Sequence, residues 1–270
     1  MLKRLKYSIA EKIKQHPYTM SVVWNRLPRL SFLLPHDRSY LGIPHIATET
    51  DGLFLDIGAN NGISAAGFRK LNKCYKILSL EANALHQQAL ESLKKRLTDF
   101  DYRILAVGRA AGNLTLITPV YKGRAVHTHT SSSRDYLATS LGRDFTNDVV
   151  ASMNYIENQV PVTSVDELAL QPDIVKIDVE GFDYDVLLGM QETISRCRPY
   201  CLVEFTPDHM QDCLRFFEKY NYYLYVYETV SNAFRRFDQV EETRTWKHEH
   251  LQVNIYCVPA ERANKLPKTK

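Results

Sequence analysis

The chain has 270 residues, 44% of them hydrophobic and 24% charged, with five cysteines and a net charge of +3. That composition excludes a wholly disordered chain, a collagen and a disulfide-stapled miniprotein, and a chain of this length can bury a sizeable core. The charge is uneven: residues 1–50 carry eight basic and three acidic side chains, residues 51–261 carry 22 and 28, and residues 262–270 carry four basic ones. A mildly acidic body between two basic ends argues against a broadly basic nucleic-acid-binding surface, so no nucleic-acid partner is expected.

The organisation that follows is an N-terminal basic helix and arm over 1–50, a main domain over 51–261 with an insertion at about 118–160, and a basic tail over 262–270. Leu2, Leu5, Ile9 and Ile13 form a narrow helical stripe with Lys3, Arg4, Lys6, Lys12 and Lys14 around it. Such a helix either docks on its own domain or makes peripheral contact with anionic lipid through residues 1–15. No apolar run approaches the roughly 18 residues of a membrane span. Met1-Leu-Lys-Arg-Leu-Lys lacks the apolar stretch of a signal peptide. Residues 28–50, with Pro28, Pro35 and Pro44, read as a linker or wrapping arm.

From Leu53 strands and helices alternate. Leu53–Ile57 is a strand, Gly58–Gly62 a turn and Ile63–Leu71 a helix. Lys76–Leu80 is a second strand, Leu85–Leu97 a helix and Tyr102–Val107 a third strand. This spacing implies parallel βαβ units. Asn113–Thr118 and Val120–His127 are expected as added strands, and the polar stretch 128–158 as a loop or cap. Asp173–Ile177 is a buried-type strand, Tyr184–Ile194 a helix, Tyr200–Phe205 a strand and Asp208–Tyr220 a helix. Two late strands, Tyr222–Tyr227 and Gln252–Val258, follow. The fold class is α/β, a mostly parallel twisted sheet with helices on both faces and an antiparallel late strand.

The strongest local signal is Leu55-Asp56-Ile57-Gly58-Ala59-Asn60-Asn61-Gly62, which joins a strand to a helix. Gly58 permits a sharp turn with no side chain against a ligand, and Gly62 lets the helix begin close to the strand. A dinucleotide fingerprint would read Gly-x-Gly-x-x-Gly, and Asn60 occupies its second glycine, where a side chain crowds a pyrophosphate. S-adenosylmethionine has no phosphate, and Asp56 or the turn's carbonyls could accept from its ammonium. Glu81, directly after the second strand, can accept from both hydroxyls of a ribose.

These residues resemble the first motif of the FkbM family of S-adenosylmethionine-dependent methyltransferases. Val175-Lys176-Ile177-Asp178-Val179-Glu180-Gly181-Phe182-Asp183, with Leu187 and Gly189 following, resembles a second family segment. Arg198-Pro199 before a strand ending in Glu204 resembles a third. The resemblance covers about residues 50–205, and departs from the family at Glu81-Ala82, where Glu-Pro is usual. It implies a Rossmann-like class I methyltransferase that methylates a hydroxyl oxygen of a small molecule, sugar or glycan. It also implies cofactor contacts at Gly58, Asn60, Gly62 and Glu81, and sets the Ser131–Ser133 run, centred on Ser132, near the cofactor.

Asp56, Glu81, Asp178 and Glu204 all fall at strand ends, where open α/β sheets bind ligands. Asp178 or Glu180 is expected as the general base that takes the acceptor's proton, the other reading being stabilisation of the next helix. Glu204 and His127 are candidate substrate contacts. His127-x-His129 and His248-x-His250 would each share a face if extended. No metal is expected. Cys74, Cys197, Cys201, Cys213 and Cys257 read as reduced thiols of a cytoplasmic protein, and a zinc at Cys197 and Cys201 lacks a second ligand pair. Tyr223, Tyr225 and Tyr227 share a strand face and suit a half-buried sheet better than a sugar platform. The alternative to an enzyme is a cofactor-binding or interaction module without catalysis.

Overall fold

A computed structural model of the chain describes residues 37–179, 181–204, 209–237 and 254–268. The N-terminal stripe Leu2–Ile13, Glu180, His248 and His250 lie outside the described residues.

Apolar runs that stop at glycine or polar turns form the strands β1 (Leu53–Ile57), β2 (Lys76–Glu81) and β3 (Phe100–Ile104). Two more such runs form β8 (Ile174–Ile177) and β9 (Tyr200–Val203). These five pair in parallel. β10 (Tyr222–Glu228), β11 (Ala233–Arg236) and β12 (Ile255–Pro259) extend the sheet to eight strands in the order β11-β10-β12-β9-β8-β1-β2-β3. β12 runs antiparallel between β9 and β10, and β11 is a second antiparallel strand at the edge. The chain builds outward from β1 to β3, then returns to the other side of β1 with β8. The topological switch point therefore lies between β1 and β8, where doubly wound sheets bind ligands.

Strand alternation sends Phe54, Ile77 and Ile174 to one face and Leu55, Leu78 and Val175 to the other. α1 (Ile63–Leu71) and α2 (Gln87–Lys94) cover the first face through Ala65, Phe68, Leu90 and Leu93. α5 (Asp183–Leu188), α6 (Gln191–Cys197) and α7 (Met210–Lys219) cover the second through Val186, Ile194 and Phe217. The two-sided, Rossmann-like sheet expected from the sequence is thus formed. Part of the arm also packs: Arg38–His45 is a 3₁₀ helix that buries Tyr40 and Ile43 against the α1 face.

Several boundaries differ from expectation, each for a tertiary reason. The third strand ends at Ile104: Leu105 makes the last ladder bond, to the Glu81 carbonyl, and Ala106–Val107 then pair in a second sheet as β4. The two added strands are one long strand, β5 (Gly112–Tyr121), turned at Lys122 and Gly123 into β6 (Arg124–Ala125). Both turn residues have positive φ, as a tight two-residue hairpin requires. The stretch 128–158 is ordered: α3 (Arg134–Asp144), α4 (Asn147–Ala151) and the start of β7 (Asn154–Thr163). Ile117, Val126, Leu137, Leu141 and Phe145 give this cap its own small core.

The single helix expected over 184–194 is two. Gly189 separates them because its backbone lies against Gly108, where an added Cβ would come 2.0 Å from the carbonyl oxygen. Asp166 then caps α6 by accepting from the amides of Glu192 and Thr193 at 3.0 and 2.8 Å.

Candidate functional site

The carboxyl ends of β1, β2, β8 and β9 meet at one edge, and backbone bonds hold them level. Gly58 N–H donates to Leu80 O, Asp178 N–H to Ile57 O and Glu204 N–H to Ile177 O, at 2.9, 3.1 and 3.1 Å. Asp178, Glu81 and Glu204 are brought to this edge together with the glycine turn.

Gly58 has φ +82, and a Cβ on it would lie 1.9 Å from the Asp178 carbonyl oxygen. What lies against Gly58 is therefore the chain after β8, so the glycine is needed to close the switch point itself. Asn60 takes up a left-handed conformation, which asparagine tolerates. Gly62, also left-handed, begins α1 with no side-chain cap and packs on Leu93 of α2.

Glu81 is 8% exposed and joins two loops. One carboxylate oxygen accepts from Asn60 N–H and the other from Asn83 N–H, both at 2.7 Å. Burial raises its pKa to about 7, against the pull of those two amides. Each oxygen has a second lone pair, so the carboxylate can still accept from a diol.

Asp56 requires a correction. Its side chain is fully buried on the α1 face, where one oxygen accepts from Ser64 at 2.6 Å and Ser79 at 2.8 Å. The other oxygen is buried with no hydrogen-bond partner among the described residues. Burial raises its pKa, opposed chiefly by the charge of Lys176. Asp56 thus ties β1 to α1 and β2, and its side chain is buried rather than open at the sheet edge.

The histidine pair is also corrected. His127–His129 form a 3₁₀ turn, so their rings diverge. His127 lies 5.4 Å from the ring of His86, while His129 meets Asp144 at 3.2 Å. Burial lowers the pKa of His127, and takes His86 down to about 4. In the serine run, Ser133 caps α3 by accepting from Tyr136 N–H. Asn83 donates to Thr130 at 3.0 Å, which ties the Ser132 loop to the loop carrying Glu81. Tyr225 and Tyr227 are buried in the core, and Tyr223 packs against it.

Arg198 lies at the far end of the sheet. It forks onto Glu261 with two bonds of 2.9 Å and donates to the carbonyl of Tyr220 at 2.6 Å. The Arg-Pro feature is therefore a structural rivet. Cys197 and Cys201 share no metal grouping: among the described residues no three His, Cys, Asp or Glu gather for one. No described helix is long and apolar enough to cross a membrane.

Sequence reasoning missed Lys176, Ser64, Ser79, Asn83 and His86. Only Lys176 left a signal, as a charged residue inside the apolar strand Ile174–Ile177.

A mostly parallel sheet with its switch point edged by carboxylates, and a glycine turn that retains an asparagine, defines a Rossmann-like α/β domain. The methyltransferase FkbM domain matches residues 56–227, and the chain belongs to that family. Among solved structures it is similar to the methyltransferase FkbM from Methylobacillus flagellatus KT. That likeness has 14% identity, covers 82% of this chain and 48% of the other, and has a TM-score of 0.47. It is also similar to precorrin-6y C5,15-methyltransferase from Geobacter metallireducens GS-15. There the identity is 12%, the coverage 81% and 82%, and the TM-score 0.40. The chain thus spans about half the length of the first of these. No curated protein matches it.

Proposed function

We propose that this domain uses S-adenosylmethionine to methylate a hydroxyl oxygen of a small molecule, sugar or glycan. The observation that carries the reading is the pair of carboxylates, Glu81 and Asp178, at the ends of strands flanking the glycine turn of β1. The donor set suits that cofactor. Glu81 has acceptor capacity left for the ribose hydroxyls, and the carboxylates favour a cation where they would repel a diphosphate. Asn60 stands where a dinucleotide would need glycine. With Asp56 buried, the ammonium falls to the turn's carbonyls, which leaves Asp178, its side chain 34% exposed, free for the acceptor.

When bound, S-adenosylmethionine supplies a sulfonium methyl whose bond to sulfur breaks as its bond to the acceptor oxygen forms. Asp178 then accepts the acceptor's proton, a task worth about 10²–10⁴-fold. The level strand ends fix the reactants' relative placement, which can supply about 7–11 kcal/mol of the barrier. Glu204 edges the acceptor side, and His127 with the Ser132 loop borders the side of Glu81.

S-adenosylmethionine, or its demethylated product, is expected to raise the melting temperature while NAD does not. Equal stabilisation by NAD would overturn the reading. Labelled-methyl transfer into fractionated metabolites and glycans identifies the acceptor. Cofactor binding without transfer into any fraction would instead favour a non-catalytic module.

A further inference from the structure

Lys176 has an unusual place for a cation. Its strand neighbours Ile174, Val175 and Ile177 are buried, and its own side chain is only 3% exposed. Removing an ammonium from water costs several kcal/mol unless nearby opposite charge offsets it. Three carboxylates do so here. Nζ donates to Asp178 Oδ2 at 2.8 Å. Asp56 stands beside Lys176 in register on β1, with Ser79 in register beyond it on β2. Burial opposes the ammonium, yet the charges of Asp178, Asp56 and Glu204 together hold its pKa above the ordinary lysine value.

Asp178 is where this buried row reaches the site. Its backbone is clamped by the bond from its N–H to Ile57 and by the close approach of Gly58 to its carbonyl. Its side chain, one-third exposed, has one oxygen held from below by Lys176. A carboxylate at a strand end otherwise samples several staggered rotamers. Misplacement of a reacting group by about 1 Å can cost about 10²-fold in rate.

We propose that Lys176 is a positioning residue for methyl transfer, fixing the Asp178 carboxylate in the rotamer that faces the acceptor hydroxyl. This rests on the reading of Asp178 as the base. Lysine suits the task because its ammonium is a compact point charge that fits between two strands, where a planar guanidinium fork would not.

The test compares wild type, Lys176→Met, Lys176→Gln, Asp178→Asn and the Lys176→Met/Asp178→Asn double variant. Labelled-methyl transfer is measured with the acceptor fraction that the wild type methylates, calorimetry measures S-adenosylmethionine affinity, and thermal melts check folding. Lys176→Met is expected to lower kcat about 10–100-fold, with acceptor KM and cofactor affinity within about threefold of wild type. Lys176→Gln, which keeps a hydrogen-bond donor, is expected to fall between Lys176→Met and wild type. It also serves as the informative variant if methionine does not fold. The double variant is expected to be no slower than Asp178→Asn, because the lysine acts only through that carboxylate. Additive losses in the double variant, or wild-type kcat in both lysine variants, would overturn the proposal. Failure of the base reading is distinct: Asp178→Asn would then turn over at the wild-type rate, and Lys176 would have no base to position.

Discussion

Glu81 carries two duties that pull in opposite directions. It staples the Asn60 and Asn83 loops through their amides, and it is the acceptor proposed for the ribose. Its folded pKa, raised by burial from 4.5 to about 7, lies above the unfolded value. The folded state therefore holds a proton that the unfolded state has lost between those limits. This contribution to stability falls as pH rises from about 4.5 to about 7, by up to roughly 3 kcal/mol. Glu81→Gln, neutral throughout, is expected to flatten that limb in urea melts at about pH 5 and about pH 8. Identical slopes in the two proteins would exclude Glu81 as the source. Cofactor affinity in the wild type should move the opposite way and weaken below pH of about 7, as the carboxylate gains a proton and loses an acceptor.

The two glycines of the turn make a second residue-scale contrast. A Cβ on Gly58 meets a backbone carbonyl at 1.9 Å, whereas on Gly62 it meets the end of the Leu93 side chain at 2.5 Å. Backbone cannot yield as a leucine methyl can. Gly58→Ala is expected to cost at least about 2 kcal/mol in denaturant melts, and Gly62→Ala less. The reverse order would mean that the β1–β8 switch point is looser than its geometry.

At the scale of elements, local pattern and observed bounds agree where an apolar run ends in a turn that the chain itself specifies. β1 and α1 are such cases, because Gly58 and Gly62 end one element and begin the next. Agreement fails where a distant segment sets the limit. Gly108 and Asp166 divide α5 from α6, and pairing of Ala106 and Val107 with β7 draws the chain out of β3. The cap was the least legible part, since residues 128–158 are polar and bury only a few side chains, against Ile117 and Tyr121 of β5 and Val126. Its helix α3 depends on a local cap. Ser133→Ala is expected to cost about 1 kcal/mol and to speed amide exchange across 134–144. Unchanged exchange there would show that packing on Leu137 and Leu141 holds α3 without its cap.

Across the whole molecule, the site at one sheet end is balanced by the Arg198 rivet at the other. Arg198 joins the start of β9 to Tyr220, Asn221 and Glu261, and stacks on the ring of Tyr222 at 4.6 Å. Its fork holds the pKa of Glu261 down at about 2. That depressed value lies below the unfolded one, so the pair's contribution is present above pH of about 4.5 and lost as pH falls toward 2. Because the Glu261 side chain is about half exposed, solvent screening limits the contribution to roughly 1 kcal/mol. Glu261→Gln is expected to lower the midpoint of urea unfolding at neutral pH and to lower it clearly less near pH 3, where part of the contribution is already lost. Equal destabilisation at both would assign the loss to packing.

The sequence by itself determined the alternation of parallel strands and helices, the glycine turn and the strand ends that carry Glu81 and Asp178. Each of these is written in neighbouring residues, as an apolar run closed by a turn. Only the tertiary structure decided what those residues face. It buried Asp56, closed Gly58 against Asp178, separated His127 from His129 and placed Lys176 under the Asp178 carboxylate. The burial of Asp56, the closure at Gly58 and the charge that surrounds Lys176 depend on the register between strands distant in sequence, which no local spacing encodes.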